Sequence, residues 1–137
     1  MKTAIVFYSF GGATKRFAQK KAAERNADVY EVHEQKKKNI FTSFLIGCPQ
    51  ALSQKSVPLA EKLPDLSEYD TILVMAPIWA NFPAPAFNSI VDSLPKGKKV
   101  EIYLLSGSGD SSKSREKVQA KLKNANLNVV KYVDIKQ

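Results

Sequence analysis

The chain is poor in the residues that most often carry chemistry. Its 137 residues include one cysteine, Cys48, and one histidine, His33. A single thiol leaves no internal disulfide and fits a reducing compartment. One histidine, with no second histidine or cysteine to join it, makes no zinc site, and no catalytic constellation is visible around it. No apolar run is long enough to span a bilayer and the start lacks the pattern of a leader peptide, so the expected location is the cytoplasm, with no membrane insertion. Acidic residues are also in deficit: 13 Asp and Glu stand against 21 Lys and Arg, a formal net charge of +8 and an isoelectric point of about 9.6. That balance favours acidic partners. The lysines are nevertheless spread along the chain, with Lys36-Lys37-Lys38 the only run of three. There is no nucleic-acid-binding motif and no basic stripe interleaved with aromatics, which excludes nucleic acid as the expected partner.

What is present is the composition of one soluble domain, residues 1–137, with 44% hydrophobic and 25% charged residues and length enough for a real core. Lys2 to Tyr8 is an apolar, β-branched run and reads as a strand. Thr14, Phe17, Ala18 and Ala22 follow at helical spacing, up to Arg25. Val29 to His33 alternates with polar residues, as an edge strand does. Ile40, Phe41, Phe44, Leu45, Cys48, Ala51 and Leu52 form an apolar helical stripe broken by Gly47 and Pro49, with Cys48 as a packed small residue. Ser53 to Asp65 is a polar loop. Thr71 to Ala76 is a run apolar enough to be buried on both faces of a parallel sheet. Pro77 to Pro85 reads as a loop. Phe87, Ile90, Val91 and Leu94 mark a helix, Val100 to Leu105 a strand, Lys113 to Ala125 a helix with Val118 and Leu122 inward, and Val129 to Val133 a last strand.

Strand and helix alternate throughout, and helix-length connections imply parallel strands with right-handed crossovers. The expected fold is α/β: a three-layer, doubly wound, five-stranded parallel sheet in the order 2-1-3-4-5. Strands one and three then meet at the switch point, where open α/β sheets bind ligands.

Three loops converge on that edge. The first, Ser9-Phe10-Gly11-Gly12-Ala13-Thr14, joins a strand to a helix through two glycines between hydroxyls. Glycine lets a ligand approach the backbone, and a helix N-terminus favours an anion, above all a phosphate. A plain tight turn needs the same glycines, and the convergence of loops decides for phosphate. The second loop carries Trp79 and Phe82, whose rings in an open crevice suit a heteroaromatic ligand about the size of a flavin. The third is Ser106-Gly107-Ser108-Gly109-Asp110. A nucleotide P-loop is excluded because G-x-x-x-x-G-K-[ST] is absent. A cysteine phosphatase or arsenate reductase is excluded because the first loop offers only Ser9. A response-regulator receiver is excluded because Tyr8-Ser9 and Ala76-Pro77 stand where acids are needed.

Ser9 to Thr14 resembles the flavodoxin phosphate loop, [ST]-x-T-G-x-[ST]. Tyr69 to Pro85 resembles the strand-three and flavin-loop segment of short flavodoxins, and the Phe44 to Leu52 connection, with Gln50-Ala51-Leu52, is similar too. The resemblance implies a flavodoxin-like fold and an electron-transfer protein holding FMN noncovalently. Ser9, Phe10, Gly11, Gly12, Ala13 and Thr14 would hold the phosphate, with charge added by Lys15 and Arg16. Pro77, Ile78, Trp79, Ala80, Asn81 and Phe82 would border the isoalloxazine, and Ser106, Gly107, Ser108, Gly109 and Asp110 would close on its pyrimidine end. The implied partner is a redox protein, acidic by charge, or a small electron acceptor. Two other readings stand beside this one: a small FMN-dependent NAD(P)H or quinone-type reductase, and a cofactor-free binding module. Three departures are visible. Gly11 replaces the motif threonine, the third loop has no aromatic, and the chain is basic where flavodoxins are usually acidic. In flavodoxins the second loop can flip a peptide, often at a glycine. This loop has none between Pro77 and Pro85, and Asn81 is its residue best suited to the left-handed region.

Overall fold

The computed structural model describes residues 2–35 and 53–137. The predicted stripe over Ile40 to Leu52, with Gly47, Cys48 and Pro49, and the Lys36-Lys38 run lie outside the described residues. The elements are β1 (Thr3–Tyr8), α1 (Ala13–Arg25), β2 (Asp28–Val32), β3 (Thr71–Trp79), β4 (Phe82–Pro83), α2 (Pro85–Ser93), β5 (Lys99–Ser106), α3 (Ser112–Asn124) and β6 (Asn128–Lys136). The sheet runs β2-β1-β3-β5-β6, every neighbour parallel. β4 lies off this path, antiparallel to β3. With that two-residue strand set aside, the order is the expected 2-1-3-4-5.

Alternation in the central strands builds two cores. Ile5, Phe7, Leu73, Met75 and Tyr103 face one way, where Phe17, Ala18 and Ala22 of α1 cover them. Ala4, Val6, Tyr8, Ile72, Val74, Ala76, Ile102 and Leu104 face the other, against Phe87, Ile90 and Val91 of α2 and Val118 and Leu122 of α3. Each large apolar side chain so buried contributes about 1.5–3 kcal/mol. This gives the three expected layers.

Local chemistry sets the helix ends. α1 starts from Gly12 in the left-handed region and ends at Asn26, also left-handed, whose N–H returns to the Ala22 carbonyl. Pro85 opens α2, where a missing N–H costs nothing. Ser89 and Asn88 of α2 are buried, and both are satisfied by the polar segment across them: Ser89 Oγ donates to the Val57 carbonyl and Asn88 Nδ2 to the Lys55 carbonyl.

Two strands run further than their apolar patterns. β3 continues through Pro77, Ile78 and Trp79 because a hairpin follows it, so the expected Pro77–Pro85 loop shrinks to a tight turn. β6 continues to Lys136 because it stays paired with β5 as far as Ser106↔Lys136. At its other end β6 carries a bulge, with the register passing from Val100↔Val129 to Glu101↔Lys131. The extra residue, Val130, is half exposed, and such a bulge blunts an edge strand against pairing.

Candidate functional site

The carboxyl ends of β1, β3 and β5 lie side by side: Phe7 pairs with Met75, and Pro77 with Leu105. The three loops therefore open on one edge of the sheet, as the strand order required.

In the first loop Gly11 and Gly12 have φ of 85° and 98°. A Cβ on Gly11 would meet nothing, so the conformation alone calls for glycine there. A Cβ on Gly12 would come within 3.1 Å of Arg16 Nη1, so the guanidinium lies directly over this glycine. Gly12, the N-cap residue of α1, offers no side chain to the helix, and the first turn holds no acid. The first N–H groups of α1 have no intrahelical partner and face the loop with the positive end of the helix dipole. Ser9 Oγ accepts a bond from Lys15 N at 3.2 Å, which ties the loop to the helix. Thr14 is buried at the same turn. The Lys15 ammonium points elsewhere, 3.4 Å from Glu31 on β2, leaving Arg16 as the cation over the loop. Glu31 in turn lies 3.5 Å from His33 Nε2, and Glu61 3.1 Å from His33 Nδ1. His33, expected on the edge strand, lies one residue past the end of β2, half exposed between two carboxylates.

The second loop is a two-residue hairpin turn. Trp79 pairs with Phe82, and the two residues between them, Ala80 and Asn81, have φ of 51° and 72°. Successive left-handed residues are the mark of a type I′ turn, the turn that matches strand twist. Ala84 N closes the base on the Pro77 carbonyl at 2.9 Å. Asn81 is left-handed as expected; Ala80, expected to resist that region, is left-handed too, because the hairpin needs both. The six residues assigned to this loop divide. Ala80 and Asn81 are exposed and Ile78 and Trp79 partly so, whereas Pro77 and Phe82 are buried. Phe82 packs in the core on the α3 side, with the Lys117 ammonium 5.9 Å from its ring centre, so it supports the loop from behind and does not flank the crevice.

The third loop lies against the end of β6. Ser106 Oγ accepts a bond from Gly109 N, and Asp110 Oδ1 one from Ser112 N, which holds the Asp110 carboxyl below its ordinary range. Ser111 donates through its hydroxyl to Asp134 Oδ1 and through its N–H to Asp134 Oδ2. Gly109, at φ 72°, rests on Lys136.

Sequence reasoning missed four residues around these loops: Tyr8, Glu34, Asp134 and Lys136. Tyr8 is buried beneath Trp79, ring centres 6.1 Å apart, and its hydroxyl donates to Glu34 Oε2 at 3.4 Å. Burial, then the Glu34 carboxylate, pushes the Tyr8 phenol well above its ordinary value. Its inward place in the β1 alternation was the available signal. Nothing in the sequence joins Asp134 to Ser111. Two open clefts of about 490 and 500 Å³ run along α2 and α3, but neither includes a residue of the three loops. Among the described residues no cluster of three or more His, Cys, Asp or Glu could hold a metal ion. None of the described helices is long and apolar enough to cross a membrane.

A family model described as Flavodoxin matches residues 2–136. Among solved structures, a candidate flavoprotein from Bacteroides uniformis is 26% identical, with a TM-score of 0.83 over 99% of this chain and 92% of that one. A flavoprotein from Lactobacillus acidophilus, solved in complex with FMN, is 23% identical, with a TM-score of 0.79 over 96% and 91% of the two chains. Oxidised flavodoxin 1 from Bacillus cereus is 19% identical, with a TM-score of 0.52 over 100% and 86%. The last two share the fold. No curated protein matches the chain.

Proposed function

The chain belongs to the flavodoxin family, and from that premise we propose that it binds FMN noncovalently at the carboxyl ends of β1, β3 and β5 and transfers electrons through it. The observation that carries the reading is the glycine turn at the start of α1: two left-handed glycines leave the backbone open in front of the first α1 N–H groups, of which Lys15 N is bound by Ser9 Oγ, with Arg16 above. That donor set suits a terminal phosphate dianion. The fold neighbour from L. acidophilus, solved with FMN, supports it.

Residues Ser9 to Thr14 hold the phosphate, mainly through backbone N–H groups, since Gly11 removes one hydroxyl of the family motif. Ile78, Trp79, Ala80 and Asn81 border the ring, backed by Pro77 and Phe82. Ser106 to Asp110 close on the pyrimidine end. When bound, the flavin supplies one- or two-electron chemistry; the protein's part is to orient it and set its potential. The partner is a redox protein, acidic to complement the net charge of +8, or a small electron acceptor. The single cysteine fits work in the cytoplasm. One observation favours a second reading, a small FMN-dependent reductase: no aromatic stands between Ser106 and Asp110, which leaves that side of the crevice without a stacking ring.

The test is the visible spectrum of the purified protein before and after FMN is added, with Trp79 emission followed in parallel. Saturable binding with a shifted flavin spectrum and quenched Trp79 is expected. A free-flavin spectrum with unquenched emission overturns the proposal and leaves a cofactor-free binding module. NAD(P)H oxidation with a quinone as acceptor then separates reductase from carrier.

A further inference from the structure

Trp79, Tyr8, Tyr30 and Tyr69 pack into one core, on the α2 and α3 side of the sheet. Trp79, the chain's single tryptophan, stands partly exposed at the crevice. Its ring meets Tyr8 edge to face, with centres 6.1 Å apart. Tyr30 and Tyr69 meet in the same way at 6.2 Å. The strand register joins the two pairs. Tyr8 pairs with Val32 and Val6 with Tyr30, so Tyr8 and Tyr30 share a face and lie diagonally across β1 and β2. Strand spacing and rise put their Cα atoms about 8 Å apart, within the span of two tyrosine side chains. Four oxidisable rings therefore lead from the crevice to the β2 edge. Each phenol has an acceptor for its proton. The Tyr8 hydroxyl donates to Glu34 Oε2 at 3.4 Å. Tyr69 donates to Asp28 Oδ2 at 2.6 Å, and the Tyr30 hydroxyl, 2.6 Å from that of Tyr69, donates to it in turn. Tyr69 is buried, whereas Asp28 is exposed. A phenol gives up an electron readily only when its proton can leave too, and a carboxylate within hydrogen-bond reach takes that proton.

We infer that the four rings are an outlet for oxidising equivalents, carrying an electron vacancy from Trp79 through Tyr8 to the Tyr30–Tyr69 pair. A one-electron oxidant in the crevice takes an electron from Trp79 and is reduced. The indole radical cation releases its N–H proton to water. Tyr8 then reduces Trp79, which takes a proton back from water, while the Tyr8 phenol proton moves to Glu34. Tyr30 reduces Tyr8, which recovers its proton from Glu34. The Tyr30 proton moves to the Tyr69 oxygen as the Tyr69 proton moves to Asp28. The net change is one electron lost from the Tyr30–Tyr69 pair and one proton placed on Asp28, with every other group restored. The hydrogen bonds set the end point: the Asp28 acceptor is close and open to water, whereas the Tyr8–Glu34 contact is longer and buried. Tyr103 also donates to a carboxylate, that of Glu101, but it belongs to the opposite core and lies off the route. The outlet goes beyond the FMN reading and does not depend on it, since its first member is a side chain of the protein.

Azide radical, generated by pulse radiolysis, is the probe, applied to the full chain without added flavin. It removes one electron from Trp79 and becomes azide. In the wild type the indolyl absorption is expected to give way to phenoxyl absorption at a rate independent of protein concentration, as transfer within one molecule requires. Tyr8→Phe, which keeps the ring and removes only the hydroxyl, is expected to lose that conversion. Tyr30→Phe is expected to keep it but to stop at Tyr8, with a changed phenoxyl spectrum by freeze-quench electron paramagnetic resonance. Asp28→Asn alters an exposed side chain, so the fold is spared, and it is expected to give the spectrum of the Tyr30→Phe protein. Tyr103→Phe is expected to behave as wild type. A wild-type indolyl radical that decays with no phenoxyl formed overturns the outlet. So does a Tyr8→Phe protein that converts like wild type, or a Tyr103→Phe protein that does not convert. An Asp28→Asn spectrum identical to wild type overturns the assigned end point. FMN binding is read separately from flavin absorbance: its absence defeats the functional reading and leaves the outlet standing, whereas a missing conversion defeats the outlet alone.

Discussion

Ala80 and Asn81 stand next to each other in the left-handed region, at φ 51° and 72°, and together they turn β3 back through β4. Asparagine tolerates this region; alanine is held there against a cost of about 1–2 kcal/mol. Ala80→Gly relieves that strain but adds chain entropy to the unfolded state, so the expected net gain is roughly 0.5–1 kcal/mol. Ala80→Val, β-branched at the same φ, is expected to lose more than about 1 kcal/mol. Denaturant midpoints measure both. Equal midpoints for all three proteins mean that the turn is not left-handed at residue 80 in solution.

Thr14 and Arg16 test the phosphate seat. Thr14→Ala removes a hydroxyl at a buried position on the first turn of α1. It is expected to weaken FMN by about five- to thirty-fold, the equivalent of 1–2 kcal/mol. Because the ligand is a dianion facing a cation, affinity should also fall with added salt. Arg16 lies over Gly12 whereas Lys15 is paired with Glu31, so Arg16→Gln should remove most of that salt dependence and Lys15→Gln little of it. The reverse ranking would reassign the cation.

At the opposite end of the sheet Arg25 forks onto Glu101, with Nη1 and Nη2 at 3.1 and 2.9 Å from the two carboxylate oxygens, and Tyr103 donates to the same carboxylate at 2.6 Å. The Arg25 bond, foremost, holds the Glu101 carboxyl below its ordinary 4.5. A depressed folded value gives stability that is present above the unfolded value and lost as pH falls through the folded one. Arg25 is a third exposed, so screening limits the pair to about 1–2 kcal/mol. The gap in thermal midpoint between wild type and Arg25→Gln is therefore expected to be steady above about pH 5 and to close below 4.5. A gap that does not change with pH would assign Arg25 a packing role alone.

These features differ in how far the sequence disclosed them. The strand order was legible because five apolar runs alternate with helical patterns, and parallel connections leave few topologies. The first loop was legible because Gly11 and Gly12 stand between a strand and a helix. The hairpin was not: Ala80-Asn81 lacks the glycine that usually marks a two-residue turn, and Pro77 in an apolar run reads as a strand's end. The inward turn of Phe82 followed from that miss, since pairing with Trp79 fixes its face. Lys15 and Arg16 are adjacent and alike in sequence. Only the position of Glu31 across the β1–β2 edge separates their roles.

Gly109 decides whether the third loop rests on β6. At φ 72° it lies so near the strand end that an added Cβ would come 3.0 Å from Lys136 Cβ, 3.4 Å from its Cα and 3.5 Å from its N. None of these is the tip of a flexible side chain, so no rotamer change clears the contact. The loop is also tied on both sides, by Gly109 N to Ser106 Oγ and by Ser111 to Asp134. Alanine at 109 must therefore lift the loop or push out the end of β6, besides adopting an unfavourable φ. The expected cost is about 1–3 kcal/mol of stability, with FMN weakened because its ring end loses a boundary. Gly107 is the internal control. A Cβ there meets nothing within 4 Å and its φ is not left-handed, so Gly107→Ala should stay within about 0.5 kcal/mol of wild type. Chemical denaturation and FMN titration of both variants read the difference. If the two alanine variants behave alike, the third loop does not rest on Lys136, and the Ser111–Asp134 tie alone positions it.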